Sequence, residues 1–161
     1  MLKIRRGEQQ DLPDVFALIQ ELALYEKAPH EVTNTIEAMA RDGFGTHPVY
    51  FLWVAEKDGT IVGTAICYVR YSTWKGPMLY LEDIVVTEKE RGQKIGHQLM
   101  LSVIAFAHEK QFKGLIWQVL DWNEPAIRFY KKYNAHFDEE WVNVKLSPDQ
   151  LKNISSQHGS L

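Results

Sequence analysis

Apolar residues recur at the spacing of a helix in the first part of the chain. After a short predicted strand at residues 2–5, four of them share one face of a predicted helix, which has Asp11 as its N-cap and ends near Tyr25. These four residues are Val15, Leu18, Ile19 and Leu22. A second, shorter helix is predicted to begin after Asn34 and to end before Gly43, where a turn-rich stretch follows.

The middle of the chain has the pattern of strands. Two runs rich in β-branched and aromatic residues flank Lys57-Asp58-Gly59, and this arrangement predicts a hairpin. A third long strand is predicted at residues 78–86. A helix is predicted after Gly96, because apolar residues again recur at helical spacing. The apolar residues of that helix are Leu99, Met100, Val103, Ile104 and Ala107.

The last part of the chain predicts a strand, a short helix and a final strand or strand pair. Residues 114–120 form a near-continuous apolar run, which is typical of a strand covered on both faces. The helix is predicted to have Asn123 as its cap, Pro125 in its first turn and Asn134 in a left-handed conformation at its end. The final strand or pair is predicted at residues 136–146.

Together the elements have the predicted order β-α-α-β-β-β-α-β-α-β, with no internal repeat and no linker. A central antiparallel meander flanked by helical crossovers is typical of an α/β (α+β) fold with one mixed, mostly antiparallel twisted sheet. A chain of 161 residues suits a single domain with a sizeable core. We expect this domain to cover residues 1–152 and a flexible polar tail to cover residues 153–161.

Composition and charge narrow the class of protein. Hydrophobic residues make up 45% and charged residues 24% of the chain, which is ordinary for a soluble globular protein. The net charge is −3, and aromatic residues neighbour acids as often as bases, so we expect no nucleic-acid partner. No signal-peptide core is visible, and no stretch approaches the ~20 apolar residues of a membrane span. We therefore expect a cytoplasmic protein without a membrane partner.

The cysteine and histidine patterns argue against disulfide and metal chemistry. The single cysteine, Cys67, has no partner for an internal disulfide and is expected to be a small apolar residue on a buried strand. The six histidines are scattered, and none of them forms a pair with the spacing of helical zinc ligands. The glycine patterns of P-loops and dinucleotide folds and the G-x-S-x-G of hydrolases are also missing. We expect no metal cofactor.

Glu82 and Asp83 interrupt the otherwise apolar strand at residues 78–86. Because neighbours on a strand point to opposite faces, at least one of the two carboxylates is expected to face a covered side. Either nearby basic residues hold the pair, or Glu82 acts as a base at the bottom of a cleft, directly or through a water molecule. The residues alone leave both interpretations open.

Two further features have a structural and a functional interpretation. Residues 91–96, RGQKIG, form either a surface turn or a cradle of backbone N–H groups for phosphate, and Lys94 stands where a cradle favours another glycine. Asn123 and Tyr130 are seven residues apart, so they lie on one helix face. Tyr130 either packs in the core or donates a proton to a leaving group.

The order of these features resembles that of the GNAT superfamily of acetyl-CoA-dependent N-acetyltransferases. Within it, the chain closely resembles the diamine (spermidine/spermine) and thialysine acetyltransferase group from about Ile4 to Trp141. The stretches that carry the resemblance are ELALYEK, RDGFGTHPVYF, YSTWKG, YLEDIVV, RGQKIG and LDWNEPAIRFYKK. The resemblance implies the GNAT fold and an enzyme that transfers acetyl from acetyl-CoA, its cosubstrate, to a primary amine of a small molecule.

For the cofactor, the resemblance favours the cradle, because in this superfamily the loop before the long helix wraps the pyrophosphate of coenzyme A. It also implies that a strand edge pairs with the pantetheine arm and that the next helix contacts the cofactor. The cofactor-binding residues so implied are Ile84, Val85, Val86, Arg91, Gly92, Gln93, Lys94, Ile95, Gly96, His97, Asn123, Glu124, Pro125, Ala126 and Tyr133. Lys94 departs from the family's usual glycine, which is tolerated if its side chain points outward.

For catalysis, the resemblance implies that Glu82 and Tyr130 are the catalytic pair. An alkyl amine with a pKa near ~10 is mostly protonated at neutral pH and cannot attack a thioester. Glu82 is expected to draw off the proton, through water, so that the free amine attacks the acetyl carbonyl directly. Tyr130 then protonates the departing thiolate, and a backbone N–H of the strand stabilises the oxyanion.

The acceptor follows from the same resemblance. Ser72-Thr73-Trp74 is similar to the thialysine branch, whereas the polyamine branch has an acid where Ser72 stands. Thialysine or a lysine-like amino acid is therefore preferred to a polyamine or diamine, which is the alternative. A homodimer is also implied, while an acetyl-CoA sensor and a peptide acetyltransferase are less favoured. The expected acceptor-binding residues are Tyr25, Glu26, Trp74, Glu82 and Asp83.

Overall fold

The structure is a computed structural model that describes residues 1–158. Its contacts divide the chain into two compact units, Met1–Gln118 and Val119–Leu161. Short 3-10 turns occur at Gln9–Asp11, Pro29–Glu31 and Glu88–Glu90. The helices and strands are β1 (Leu2–Arg6), α1 (Leu12–Tyr25), α2 (Ile36–Phe44), β2 (Phe51–Lys57), β3 (Thr60–Ser72), β4 (Gly76–Val86), α3 (Ile95–Glu109), β5 (Leu115–Ile116), α4 (Glu124–Lys131) and α5 (Pro148–His158).

The strands form one five-stranded sheet in the order β1-β2-β3-β4-β5. Neighbouring strands are antiparallel except for β4 and β5, which are parallel. Asp58 and Gly59 join β2 to β3 with φ angles of 51° and 82°, and positive φ at both positions is typical of a two-residue hairpin turn. The predicted hairpin and the predicted mixed, mostly antiparallel sheet are confirmed.

Helices cover both faces of this sheet. Phe106 of α3 contacts the rings of Phe51 and Trp53 on β2, with centroid distances of 5.0 and 5.1 Å. Leu52 and Val54, which alternate with Phe51 and Trp53 along β2, pack instead against residues of α1 and α2. Because neighbours on a strand point to opposite faces, α1 and α2 cover one face and α3 the other. The buried members of the cluster under α1 and α2 are Leu12, Val15, Met39, Leu52, Val54 and Ile66.

Cys67 lies on β3 opposite Phe51, on the face that α3 covers. Its side chain is fully buried, and burial raises the pKa of its thiol to about 12. The expectation of a small apolar residue on a buried strand is confirmed. A thiol in this environment holds its proton at neutral pH and is a poor nucleophile.

The start of α1 differs from the prediction in its chemistry. Asp11 precedes the helix, but its carboxylate accepts no N–H from it. Instead, the carboxylate accepts the backbone N–H of Glu8 at 2.8 Å and binds the guanidinium of Arg5 at 2.7 and 2.9 Å. These bonds keep the pKa of Asp11 below its usual value. Asp11 therefore fixes the end of β1 to α1.

The start of α2 also differs from the prediction. Thr35 is the N-cap, and its hydroxyl oxygen accepts the N–H of Ala38 at 3.1 Å. Asn34, which the sequence favoured, binds the N–H of Thr35 instead, at 2.9 Å. The helix runs to Phe44 and so passes the predicted end before Gly43.

In the second unit, α4 begins and ends as predicted. The side chain of Asn123 accepts the N–H of Ala126 at 3.3 Å, and Pro125 lies in the first turn. Asn134 follows the helix with a φ of 53°, the left-handed conformation that commonly closes helices.

The prediction of a strand or strand pair at residues 136–146 is wrong, because no part of this segment is a strand. β5 is also shorter than the predicted run at 114–120. Only Leu115 and Ile116 pair with β4. An apolar run forms a strand only where a neighbouring strand supplies hydrogen-bond partners. Within residues 136–146, Trp141 is 77% exposed.

The helix α5 was not predicted. It begins with a reciprocal capping box: the N–H of Ser147 donates to Oε1 of Gln150 at 2.8 Å, and the N–H of Gln150 donates to Oγ of Ser147 at 3.3 Å. Pro148 occupies the first helical position, where a missing N–H is harmless. The predicted boundary between domain and tail, after residue 152, falls inside this helix, and residues 159–161 of the predicted tail lie outside the described residues.

Candidate functional site

A β-bulge places the two acidic residues of β4. The ladder between β3 and β4 shifts so that Ile66 lies opposite Asp83 and Cys67 lies opposite Leu81. Glu82 is therefore the extra residue of the bulge, and its side chain is exposed. Asp83 shares a face with its partner Ile66, which packs in the core under α1 and α2.

Asp83 is half-buried, and its carboxyl group has a displaced pKa. Burial raises this pKa to about 6, and the carboxylates of Glu82 and Glu26 act in the same direction. An unperturbed aspartate has a pKa near ~3.9, so Asp83 exchanges its proton much closer to neutral pH. The expectation that one of the two carboxylates faces a covered side is confirmed, and that carboxylate belongs to Asp83.

Glu26 joins this pair from the end of α1. It directly follows Tyr25, the last residue of the helix, and it is half-buried. Burial raises the pKa of its carboxyl group. We call Glu26, Glu82 and Asp83 the acidic cluster. A cation that binds among these groups relieves the repulsion between partly desolvated carboxylates, so the cluster suits a protonated amine.

Two tyrosines lie near Glu82. Tyr68 and Tyr80 lie opposite each other on β3 and β4, and their rings stack with centroids 5.1 Å apart. The hydroxyl of Tyr68 donates a hydrogen bond to the carboxylate of Glu82. Burial, the charge of Glu82 and this hydrogen bond raise the pKa of Tyr68 to about 12. The sequence predicted neither tyrosine as a site residue, although the hairpin register brings residues 68 and 80 together.

The two remaining predicted acceptor residues, Tyr25 and Trp74, lie in different parts of the fold. Tyr25 is near the acidic cluster in sequence, and the guanidinium of Arg91 lies 5.3 Å from the centroid of its ring. Trp74 lies in the turn between β3 and β4 and is 86% exposed. A role for Trp74 in acceptor binding stays a prediction.

Residues 91–96, which we call the cradle loop, have an unusual backbone. Gly92 and Lys94 have φ angles of 80° and 62°, whereas Gln93 between them is outside the left-handed region. Such alternation makes concave backbone surfaces that bind anions. At the start of α3 the N–H of Gln98 donates to the carbonyl of Lys94 at 3.1 Å, and the N–H groups of a helix's first turn point out of its N-terminal end. This backbone suits an anion.

The side chains of the cradle loop are tied to the protein. Arg91 Nε donates to the carbonyl oxygen of Val86 at 3.0 Å. Gln93 accepts from Lys57 Nζ at 3.0 Å and donates to Glu90 at 2.7 Å. Lys57 and Glu90 also form an ion pair at 2.5 Å. The loop therefore offers its backbone, rather than these two side chains, to a ligand.

The edge of β4 is open beyond its first half. β5 pairs with β4 only at Leu79 and Tyr80. Within the described residues, the stretch 81–86 therefore has a strand partner on the β3 side alone. Ile84, Val85 and Val86, the predicted partners of the pantetheine arm, belong to this stretch. An extended chain can add to such an edge through main-chain hydrogen bonds.

The remaining predicted residues belong to the second unit. Asn123 and Tyr130 are 8% and 7% exposed, and the ring of Tyr130 lies 5.4 Å from that of Phe129. Burial raises the pKa of Tyr133, while Glu124 is exposed and lies 3.7 Å from Arg128. Tyr130 is therefore buried against Phe129, and its role as a proton donor stays a prediction.

Residues 1–158 contain no cluster of three or more histidine, cysteine or acidic side chains arranged to hold a metal ion. No helix in this part of the chain has the length and apolar character of a membrane span.

The comparisons with known proteins identify the family of this chain. Residues 12–135 match the model of the acetyltransferase (GNAT) family. The chain is 40% identical over 140 residues to a thialysine N-epsilon-acetyltransferase of Bos taurus, with 82% of each chain covered. It is 33% identical over 166 residues to the Mus musculus protein of that name, covering 96% of this chain and 98% of that one. The chain therefore belongs to the GNAT acetyltransferase family.

A solved structure supports the fold. The chain superimposes on an aminoglycoside acetyltransferase from an uncultured soil metagenomic sample with a TM-score of 0.75 and 24% identity, covering 91% of this chain and 95% of that one. The resemblance inferred from the sequence is thus confirmed. The chain is an acetyltransferase enzyme that transfers an acetyl group to an amine, and enzymes of its family use acetyl-CoA as the donor.

Proposed function

We propose that this enzyme acetylates a primary amine of a small molecule, and that thialysine or a lysine-like amino acid is its preferred acceptor. The observation that carries the proposal is the acidic cluster, in which burial and the carboxylates of Glu82 and Glu26 raise the pKa of Asp83. Such a cluster attracts a protonated amine. Ser72 replaces the acid of the polyamine branch, which removes a partner for a second cationic centre, and the relatives named thialysine acetyltransferases support the same acceptor.

The first unit also has two features that fit acetyl-CoA. The cradle loop presents the backbone of a helix N-terminus, which suits a diphosphate, and Gly92 has open space where a side chain would begin. The open edge of β4 suits an extended amide-containing arm. When bound, acetyl-CoA supplies an activated thioester and a thiolate leaving group. Residues 84–86 and 91–97 are proposed to hold it, and the resemblance also assigns residues 123–126 and Tyr133 to its binding.

The acceptor amine must lose a proton before it attacks. Glu82 is proposed to take this proton, through water, because it is exposed at the bulge while Tyr68 holds its carboxylate. Tyr25, Glu26, Trp74 and Asp83 are proposed to bind the acceptor. The amine then attacks the acetyl carbonyl directly, and a backbone N–H of β4 stabilises the oxyanion.

Tyr130 is proposed to protonate the leaving thiolate. We expect Tyr130→Phe to lower kcat by about 10²-fold or more, the usual effect of losing a general acid, with the Kd for coenzyme A nearly unchanged. Steady-state kinetics and calorimetric titration measure the two quantities. Tyr71→Phe, which removes an exposed tyrosine hydroxyl from β3, is the matched control. Unchanged turnover in Tyr130→Phe would remove Tyr130 from the mechanism.

The acceptor is identified by thiol release from acetyl-CoA in the presence of thialysine, lysine, ornithine, putrescine, spermidine or spermine. We expect fast turnover of thialysine and little turnover of spermidine. The reverse preference would make the enzyme a polyamine acetyltransferase. If no amine causes thiol release, the enzyme has a peptide acceptor or is a non-catalytic acetyl-CoA sensor. Thiol release in the presence of a peptide would distinguish the first from the second.

We also propose a homodimer in the cytoplasm, without nucleic-acid or membrane partners, as the resemblance and the composition suggested. Light scattering coupled to size-exclusion chromatography checks the oligomeric state. A mass near 18.7 kDa would show a monomer and contradict the proposal.

A further inference from the structure

Glu21 of α1 joins parts of the first unit that are far apart in the sequence. Its Oε1 atom accepts the backbone N–H of Glu88 at 2.8 Å and lies 3.6 Å from the guanidinium of Arg91. Glu88 opens the 3-10 turn Glu88–Glu90 after β4, and Arg91 is the first residue of the cradle loop. One carboxylate therefore contacts both ends of the short segment that leads from β4 to the cradle loop.

Arg91 extends this contact in two directions. Its Nε donates to the carbonyl oxygen of Val86 at the end of β4, and its guanidinium lies over the ring of Tyr25. Glu21 and Tyr25 are four residues apart in α1, so their side chains share one helix face. The same guanidinium thus connects the cradle loop to the end of β4 and to α1.

The cradle loop needs such support. Gly92 and Lys94 adopt left-handed conformations, and Lys94 does so with a side chain. A left-handed conformation at a residue with a side chain, as at Lys94, persists only where the surrounding structure enforces it. Lys57 and Glu90 hold the loop at Gln93, and Glu21 holds it at Arg91.

We propose that Glu21 is a positioning residue for the acetyl donor: it holds Arg91 against the end of β4 and thereby keeps the backbone of the cradle loop in the conformation that receives the diphosphate of acetyl-CoA. This inference rests on the proposed function of the loop. Glu21 itself touches neither substrate, so its loss acts on donor binding and leaves the chemical step intact.

The test compares two acetyl donors, acetyl-CoA and S-acetylpantetheine, which lacks the diphosphate. Glu21→Gln keeps an oxygen for the N–H of Glu88 but loses the charge opposite Arg91, whereas Glu21→Leu loses both. The matched control is Asp14→Asn, which removes an exposed charge from the same helix. Values of kcat and KM are measured for each donor, and thermal unfolding shows that each variant is folded.

With acetyl-CoA, we expect KM to rise about two- to threefold in Glu21→Gln, because the lost ion pair is partly exposed. In Glu21→Leu we expect a rise of about five- to tenfold, because a hydrogen bond to a charged group is lost as well. We expect kcat to stay within twofold of wild type, and S-acetylpantetheine to react equally well with every variant. If Glu21→Leu does not fold, Glu21→Gln decides.

Two results would overturn the role of Glu21. Equal losses with both donors would show a general structural effect, and unchanged KM values in both variants would show that the loop needs no support from α1. A different result would refute the loop's proposed function instead. If wild-type enzyme used both donors with the same kcat/KM, the diphosphate would contribute nothing to binding at the loop. The failures of the two proposals are therefore distinguishable.

Discussion

The cradle loop and the acidic cluster offer different parts of the polypeptide to a ligand. In the cradle loop, hydrogen bonds tie Arg91 and Gln93 to the protein, and the backbone stays available. In the acidic cluster the side chains themselves are the binding groups. Substitutions in the loop should therefore act through backbone conformation, whereas substitutions in the cluster should act through charge.

The largest effect is expected in the acidic cluster. Glu82→Gln keeps the size of the side chain but removes the base, so we expect kcat/KM for the amine to fall by about 10²- to 10⁴-fold. The Kd for coenzyme A should change little. Steady-state kinetics with a saturating donor measures the fall, and Glu109→Gln, at the exposed end of α3, is the control. A loss below about tenfold would show that another group takes the proton.

Asp83 gives the cluster a pH dependence. Because its pKa is raised to about 6, Asp83 loses its charge as pH falls through 6, and we expect KM for the amine to rise about tenfold by pH 5. Glu26 and Glu82, the charged groups known to act on Asp83, shape the same profile. Asp83→Asn should remove the step near pH 6 and raise KM at pH 7.5. A step that persists in Asp83→Asn would assign the titration to another group.

The same substitution should increase stability at neutral pH. Asp83 has a higher pKa in the folded than in the unfolded chain, so its contribution to stability is complete below about pH 4 and is lost as pH rises through 6. We expect Asp83→Asn to be more stable than wild type at pH 7.5 by about 1–2 kcal/mol, and the gain to vanish near pH 4. Urea unfolding at the two pH values measures the difference.

In the cradle loop, the expected effect is smaller and comes from the backbone. Gly92→Ala adds a methyl group where space is open, but an L-residue at a φ of 80° is strained, so we expect about fivefold weaker binding of coenzyme A. Gly59→Ala is a matched control, because Gly59 has a φ of 82° and equally open surroundings in the β2–β3 turn. Equal binding by both variants would show that the loop conformation does not control affinity.

The smallest effect is expected at Lys94. Lys94→Gly relieves a left-handed lysine but leaves the backbone path unchanged, so we expect the Kd for coenzyme A to change less than about threefold. Titration calorimetry at low and high salt measures it. A loss of tenfold or more that weakens with added salt would show that the lysine charge contacts phosphate. That outcome would show that the cradle loop, like the acidic cluster, binds its ligand through a side chain.

Local patterns of the sequence predicted much of this fold. Asp58-Gly59 predicted the hairpin because positive φ is required at both positions, and Asn123 predicted the start of α4 because its side chain can bind the helix N–H groups. The same kind of signal precedes α5, where Ser147 and Gln150 form a capping box, although the sequence interpretation placed a flexible tail nearby.

Features that depend on strand pairing could not be predicted. The bulge at Glu82 exists only because the β3–β4 ladder shifts opposite it, so the sequence could not tell which carboxylate is buried. The pairing of Tyr68 with Tyr80 depends on the same register. The segment at residues 136–146 shows the converse: it was predicted as a strand or strand pair, but no strand of the described chain pairs with it.

The burial of Cys67 makes the enzyme unreactive toward thiol reagents. Since this is the chain's only cysteine and its thiol is fully buried, a dye that reacts with thiolates reports the coenzyme A that turnover releases and not the protein. Because Cys67 does not react, a cysteine introduced on the surface would be the single labelled position. Trp74→Cys, in the turn between β3 and β4, is an example. Wild-type protein, which takes up no label, is then the control for such a labelling experiment.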